Sequence, residues 1–296
     1  MTILISLLIP AAAVLTLTRI CFMMAFRADD SIRNVHRRIP SREQYRKYRE
    51  TTLKYIDELD SLPYETVTVS SYDGLALTGR YYEGCSSLPL AVCIHGYKSS
   101  GIRDFCGGSR ILRKHGFPVL LADQRGHGDS EGGTICFGIR EYHDVCTWAD
   151  RFSDREIILF GVSMGASSVL MAADRLPSNV RCIIADSPYD SAAEIIRKVA
   201  KDRKLPAGLL MPFIALAARL YGGFSIYEKT ASKAVSDSDI PVLVIHGGSD
   251  EFVPSCMSES IPGKRITFSD ADHCMSYMVH PEEYEEEIMN FIKTVQ

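Results

Sequence analysis

The pentapeptide Gly161-Val162-Ser163-Met164-Gly165 is the first place where this sequence offers chemistry. A serine hydroxyl is a weak nucleophile at neutral pH and becomes a strong one when a neighbouring base takes its proton. The motif directly follows a short apolar run at residues 157–160 and opens a stretch of helical length at Met164. In that strand–turn–helix setting a G-x-S-x-G turn lifts its serine clear of a sheet, with the helix dipole behind it. Such a turn is strained. A Cβ two residues either side of Ser163 would collide with strand and helix, so glycine is the residue the turn demands at 161 and 165. The chemistry to expect is acyl transfer. It requires a base for the hydroxyl proton, an acid to fix the base's tautomer, and amide N–H groups for the developing oxyanion.

The elements that must position this turn are legible as periodicity. Residues 65–70 and 75–82 alternate in polarity around Tyr72-Asp73-Gly74, which predicts an antiparallel hairpin. Residues 90–94, 118–121, 157–160, 182–185 and 242–245 are nearly continuous apolar runs, the pattern of strands buried on both faces of a parallel sheet. Stretches of helical length lie between them, such as 139–152 and 164–174. Residues 281–295 begin with proline and glutamates, favourable at a helix N-terminus, and carry Ile288 and Phe291 on one face. The expected class is a doubly wound α/β domain with a mostly parallel sheet.

Four stretches then carry a resemblance: Ile94-His95-Gly96-Tyr97, the run from Asp123 through Arg125-Gly126-His127-Gly128-Asp129 to Ser130, the serine turn, and His246 through Asp250 to Pro254. With the late Asp272-His273 they make residues 61–296 similar to the α/β-hydrolase superfamily. The narrower likeness is to single-span esterases, thioesterases and serine-aminopeptidase-like members with a short cap. The resemblance implies the chain order Ser163, Asp250, His273 for nucleophile, acid and base. It also implies an oxyanion hole made by the backbone N–H groups of Met164 and Tyr97. Asp250 and His273 each follow an expected strand by a short polar turn, at the strand ends where open α/β sheets gather their sites. Asp186 is the substitute acid and His280 the substitute base. His95 and His127 are expected to orient loops, His246 to be satisfied at a strand end, and His36, His115 and His143 to be exposed. Arg125 and Asp129 are expected to pin the loop beside the site. His-Gly-Tyr at 95–97 departs from the His-Gly-Gly-Gly form of one lipase and esterase branch, which is therefore disfavoured.

Residues 190–236 interrupt the alternation where a cap would sit, and 209–221 hold a single charge, Arg219. Packing on the sheet would hide this stripe. An acyl pocket would use it, with Leu210, Phe213 and Ile214 as the lining.

The first 60 residues differ in composition from the rest. Residues 2–18 carry no charge, and a helix from 2 to 26 would be roughly 30 Å or more long, enough to cross a bilayer. A cleaved signal peptide would need a basic start, which Met1-Thr2 does not supply. Residues 1–26 are therefore expected to be a single transmembrane anchor, 27–60 a basic juxtamembrane segment, and 61–296 the folded domain. From Arg19 to Lys54 there are ten Lys/Arg against four acids, which predicts that the domain faces the cytoplasm. Nine cysteines without a CxxC pair fit a reducing compartment.

With 46% apolar and 24% charged residues the chain can fold, and its net charge of −4 argues against a nucleic-acid partner. No HExxH, GxxxxGK[ST] or GxGxxG run occurs, and neither metal nor cofactor is expected. The expected partners are a small acyl substrate and a membrane, with the oligomeric state left open. The expected activity is hydrolysis of a carboxylic ester or thioester of a small to medium apolar acyl group. An aminopeptidase or acylpeptidase, an acyltransferase, and a membrane-tethered binding protein are the alternatives.

Overall fold

The computed structural model describes residues 2–33 and 35–295, with side chains from residue 12 onward. Eight strands form one sheet in the order β1-β2-β4-β3-β5-β6-β7-β8. They are β1 (Glu65–Ser70), β2 (Ala76–Tyr82), β3 (Leu90–Ile94), β4 (Val119–Ala122), β5 (Ile157–Val162), β6 (Val180–Asp186), β7 (Val242–Gly247) and β8 (Lys264–Phe268). The β1–β2 hairpin is antiparallel and joins the sheet through an antiparallel β2–β4 edge, and the remaining pairs are parallel. The helices in chain order are α1 (Thr2–Ala25), α2 (Glu43–Lys47), α3 (Arg49–Asp60), α4 (Gly101–Phe105), α5 (Gly108–Lys114) and α6 (Glu141–Arg151). After the serine turn come α7 (Met164–Ala172), α8 (Ala192–Asp202), α9 (Ala207–Ala217), α10 (Ala231–Ser236), α11 (Ser276–Val279) and α12 (Pro281–Thr294).

The continuous apolar runs are explained by burial on both sides. In β3, Leu90, Val92 and Ile94 enter the layer with α6 and α7, whereas Ala91 and Cys93 enter the layer with α3, α5 and α12. The same alternation repeats in β5, with Ile157 and Leu159 on one side and Ile158, Phe160 and Val162 on the other. β3 and β5 thus each contribute to two cores, and neither face of these strands can be polar. All nine cysteines are unpaired thiols, and Cys93, Cys106 and Cys182 fill core positions.

The N-terminal 60 residues depart most from expectation. Among the described residues no helix is long and apolar enough to cross a membrane. The side chains of the first eleven positions of the expected anchor lie outside the described residues. The last turns of α1 belong to the core: Thr18 and Phe26 are inaccessible, and Cys21 and Phe22 are buried. Phe26 meets Phe224 and Phe137 edge-on at 5.3 and 6.0 Å, and its carbonyl accepts the Ile135 N–H at 2.7 Å. Beyond it, Ile32, Val35, Ile56 and Leu59 are buried as well. Residue 61 is therefore not a packing boundary. Likewise α10, placed in the expected cap, lies against α7 as a layer helix, so α8 and α9 form the cap.

Phe26 therefore carries a stability prediction. Phe26→Ala should lower the unfolding free energy by about 3–5 kcal/mol, as other large-to-small core changes do. Denaturant unfolding of the full chain reads this directly, and an unchanged midpoint would place the end of α1 outside the core.

Candidate active site

The serine turn is built as the local sequence demands. Ser163 has φ +53° and ψ −118°, between the end of β5 and the first residue of α7. Its N–H donates to the Asp186 carbonyl at 2.8 Å. A Cβ on Gly161 would come within 2.4 Å of the Gly165 carbonyl oxygen, and one on Gly165 within 1.9 Å of the Ile94 carbonyl oxygen. Only glycine lets α7 approach both strands this closely, and non-glycine backbone at such angles costs on the order of 1–3 kcal/mol.

Three residues far apart in the chain meet there. His273 Nε2 lies 2.8 Å from Ser163 Oγ, and His273 Nδ1 lies 2.6 Å from Asp250 Oδ2. The other Asp250 oxygen accepts the N–H groups of Phe252 and Val253 at 2.9 and 2.8 Å. A carboxylate fixed this way selects the tautomer with the proton on Nδ1, which leaves Nε2 free to accept from the serine hydroxyl. All three side chains are buried.

The alternatives are occupied elsewhere. Asp186 accepts from Tyr284 Oη and Ser187 Oγ at 2.8 and 2.9 Å. His280 pairs with Asp270. His246 is satisfied by the Val253 carbonyl at 2.7 Å and by Ser258 Oγ. His115 is exposed as expected and pairs with Glu285, whereas His143 is half-buried and stacked on Tyr142.

The loop carrying Tyr97 is held by the two glycine-flanked histidines. His95 Nε2 accepts the Gln124 N–H and His127 Nε2 the Lys98 N–H, each at 3.1 Å. Burial pushes His127 down to about 3, so its ring is neutral and able to accept. Gly96 brings the loop against the serine, since a Cβ there would be 3.1 Å from Ser163 Cβ. The N–H of Met164, at the first position of α7, has no partner within its own helix. Arg125 is an anchor through two carboxylates outside its own loop. It clamps Asp144 of α6 at 2.6 and 2.7 Å and Asp73 of the hairpin turn at 2.9 and 3.1 Å. Asp129 instead donates its N–H to Asp123.

The comparisons agree with this architecture. The family model described as alpha/beta hydrolase fold matches residues 89–229. This chain has the α/β-hydrolase fold. It is similar to YqkD of Bacillus subtilis, 27% identical over 190 residues that make up 60% of this chain and 62% of that protein. A Mycobacterium tuberculosis protein is 30% identical over 203 residues, 66% of this chain and 65% of its own. The chain thus spans less than two thirds of the length of these relatives. Among solved structures, the Pyrococcus furiosus esterase Pf2001 shares the fold with a TM-score of 0.64 and 24% identity over 80% of this chain and 93% of its own.

Two cavities meet at Ser163 of this α/β-hydrolase fold. One, of about 390 Å³, has Arg42, Tyr45, Ser99 and Arg103 in its wall beside apolar side chains. The other, of about 160 Å³, is lined by Met24, Tyr189, Ile196, Leu210 and Ile214 among other apolar side chains. Leu210 and Ile214 thus stand where the sequence places a pocket. Phe213, also on α9, does not line this cavity and packs, partly buried, against the core.

The residues that sequence reasoning misses belong to the N-terminal segment. Gln44 accepts the Asp272 N–H at 2.6 Å and donates to the Asp270 carbonyl at 2.8 Å. Arg42 pairs with Asp272 at 2.8 Å, and Tyr45 Oη donates to the His273 carbonyl. The histidine loop is therefore held by a segment that reads in sequence as no more than a basic run. No local pattern signals a contact across 228 residues.

Burial raises Asp186 to about 6, against hydrogen bonds from Tyr284 and Ser187 that favour its charged form. The folded chain then holds a proton that the unfolded chain releases, so stability falls as pH rises from about 4 to about 6. The loss attributable to this group is roughly 3 kcal/mol. Unfolding measured across that range should show a smaller fall for Asp186→Asn than for wild type, and equal slopes would assign the titration elsewhere.

Proposed function

We propose that this protein is a serine hydrolase that cleaves the ester or thioester of an apolar acyl group. The observation that carries the reading is the hydrogen-bonded chain Ser163–His273–Asp250 opening onto an apolar cavity. His273, oriented by Asp250, takes the proton of the Ser163 hydroxyl as Oγ attacks the carbonyl carbon. The oxyanion is held by the N–H groups of Tyr97 and Met164, and losing one such donor typically costs about 10²–10³ in rate. As the carbon–oxygen or carbon–sulfur bond breaks, His273 returns the proton to the leaving group. Water then attacks the acyl-enzyme with His273 again as base, which regenerates Ser163 and releases the acid.

In this reading the smaller, more apolar cavity holds the acyl chain and the larger one, with Arg42 and Arg103 in its wall, the leaving group. A peptide substrate is the poorer fit, because the acyl side offers no carboxylate to receive a free amino terminus among the residues named above. The cap helices supply Leu210 and Ile214, so acyl-chain length should be read by α9.

A fluorophosphonate probe should label the wild type and leave Ser163→Ala unlabelled. Removal of the nucleophile in comparable triads costs about 10⁶ in kcat. On a series of p-nitrophenyl esters, Ile214→Trp should depress turnover of the longer chains while sparing the acetate. Absence of labelling in folded wild type would defeat the hydrolase reading. An unchanged chain-length profile would remove the acyl chain from the α9 cavity.

A further inference from the structure

Helices α1 and α9 pack side by side, and both leave large apolar side chains bare. On α1, Thr18, Cys21 and Phe22 turn inward, while Val14, Leu15, Ile20 and Met24 are exposed. On α9 and the π-helical turn after it, Met211, Ile214 and Ala218 are buried, while Leu209, Leu216 and Leu220 are exposed, Leu209 to 67%. All eight exposed large aliphatic side chains among the described residues fall in these two places or in the loop before α9, where Leu205 stands. Scattered exposed leucines need no explanation, but such a concentration on two adjoining helices marks a contact surface.

The charge of this face identifies what it contacts. Residues 12–28 and 203–227 contain Arg19, Arg27, Arg203, Lys204 and Arg219 and no acidic residue, in a chain whose net charge is −4. Cations on the same segments as exposed aliphatic side chains match anionic headgroups above acyl chains. The acidic remainder of the protein would be repelled by the same surface. The long arginine and lysine side chains can keep their charges at headgroup level while their stems lie on the apolar face.

The acyl cavity opens here. Met24 and Leu205 are exposed on the face and at the same time line the cavity that reaches Ser163. Arg203 stands beside the opening.

We propose that the α1–α9 face docks on an anionic lipid bilayer without α1 crossing it. An acyl chain passes from the bilayer between Met24 and Leu205 to Ser163, so the substrate is an acyl ester or thioester resident in the membrane. The docking half stands on the surface alone, and the substrate half rests on the serine-hydrolase reading.

The test uses full-length protein with phosphatidylcholine vesicles, with and without phosphatidylglycerol. The wild type should float with the anionic vesicles and dissociate as salt is raised. The pair Leu209→Glu and Leu220→Glu should abolish flotation, and the pair Lys204→Glu and Arg219→Glu should weaken it at least about tenfold. None of these four residues touches the cavity. Hydrolysis of soluble p-nitrophenyl acetate should therefore be unchanged in both variants, which also reports that they fold. Hydrolysis of a long-chain ester embedded in the vesicles should fall with binding. Wild type that stays unbound overturns the docking, as does leucine-to-glutamate protein that floats like wild type. So does association into dimers that cover the face and leave no vesicle binding. Vesicle binding with unaltered hydrolysis of the embedded ester in the variants overturns the acyl route alone. If wild type hydrolyses neither ester, the hydrolase reading fails, and flotation still decides the docking.

Discussion

The backbone of Ser163 sits at a positive φ because β5 must turn into α7 within a single residue, and much of the site depends on that constraint. The turn is tolerable only because residues 161 and 165 lack a Cβ and because the surrounding strands over-determine it. β6 fixes the Ser163 N–H through the Asp186 carbonyl, and β3 presses its terminal carbonyls against Gly165. Strain at one residue is thus supported by three strands, each buried on both faces. With the hydroxyl fixed in space, His273 and Asp250 need only be delivered to it by the ends of β8 and β7. A parallel sheet does this, since its strand ends share one edge.

The delivery is not left to the sheet alone. The loop from residue 269 to 275 is gripped from outside by Arg42, Gln44 and Tyr45, and the Tyr97 loop from within by His95 and His127. These contacts are mostly hydrogen bonds to backbone groups, which fix position without depending on the identity of the loop residues. The Arg125 clamp works at longer range, tying the hairpin turn to α6 through two carboxylates. The N-terminal 60 residues are therefore structural partners of the site as well as a surface of their own. The end of α1 walls the apolar cavity at Ser163, and α2 braces the histidine.

Much of this was legible in the residues. The apolar runs at 90–94, 157–160 and 242–245 lie within β3, β5 and β7, because burial on both faces leaves a strand no polar position. Other readings did not survive folding. The uncharged run at 2–18 looks like a free anchor, yet the helix it opens ends in an aromatic cluster with Phe137 and Phe224. Hydropathy reports that a segment avoids water and says nothing of whether lipid or protein replaces the water. In the same way Arg125 announces an ion pair without naming the carboxylate, and Phe213 shares its helix with Leu210 and Ile214 but not their cavity.

What the sequence determined by itself was whatever is encoded within a few neighbouring residues. The glycines of the serine turn, the alternation of strand and helix, and the polar turns bearing Asp250 and His273 belong to this class, because local sterics and burial periodicity act over one turn or one strand. The tertiary structure alone decided which distant groups converge. It made α1 a wall of the pocket, set Gln44 against the histidine loop, and left the outer faces of α1 and α9 bare together. Those outcomes depend on the packing angles of whole elements, and no short stretch of chain contains that information.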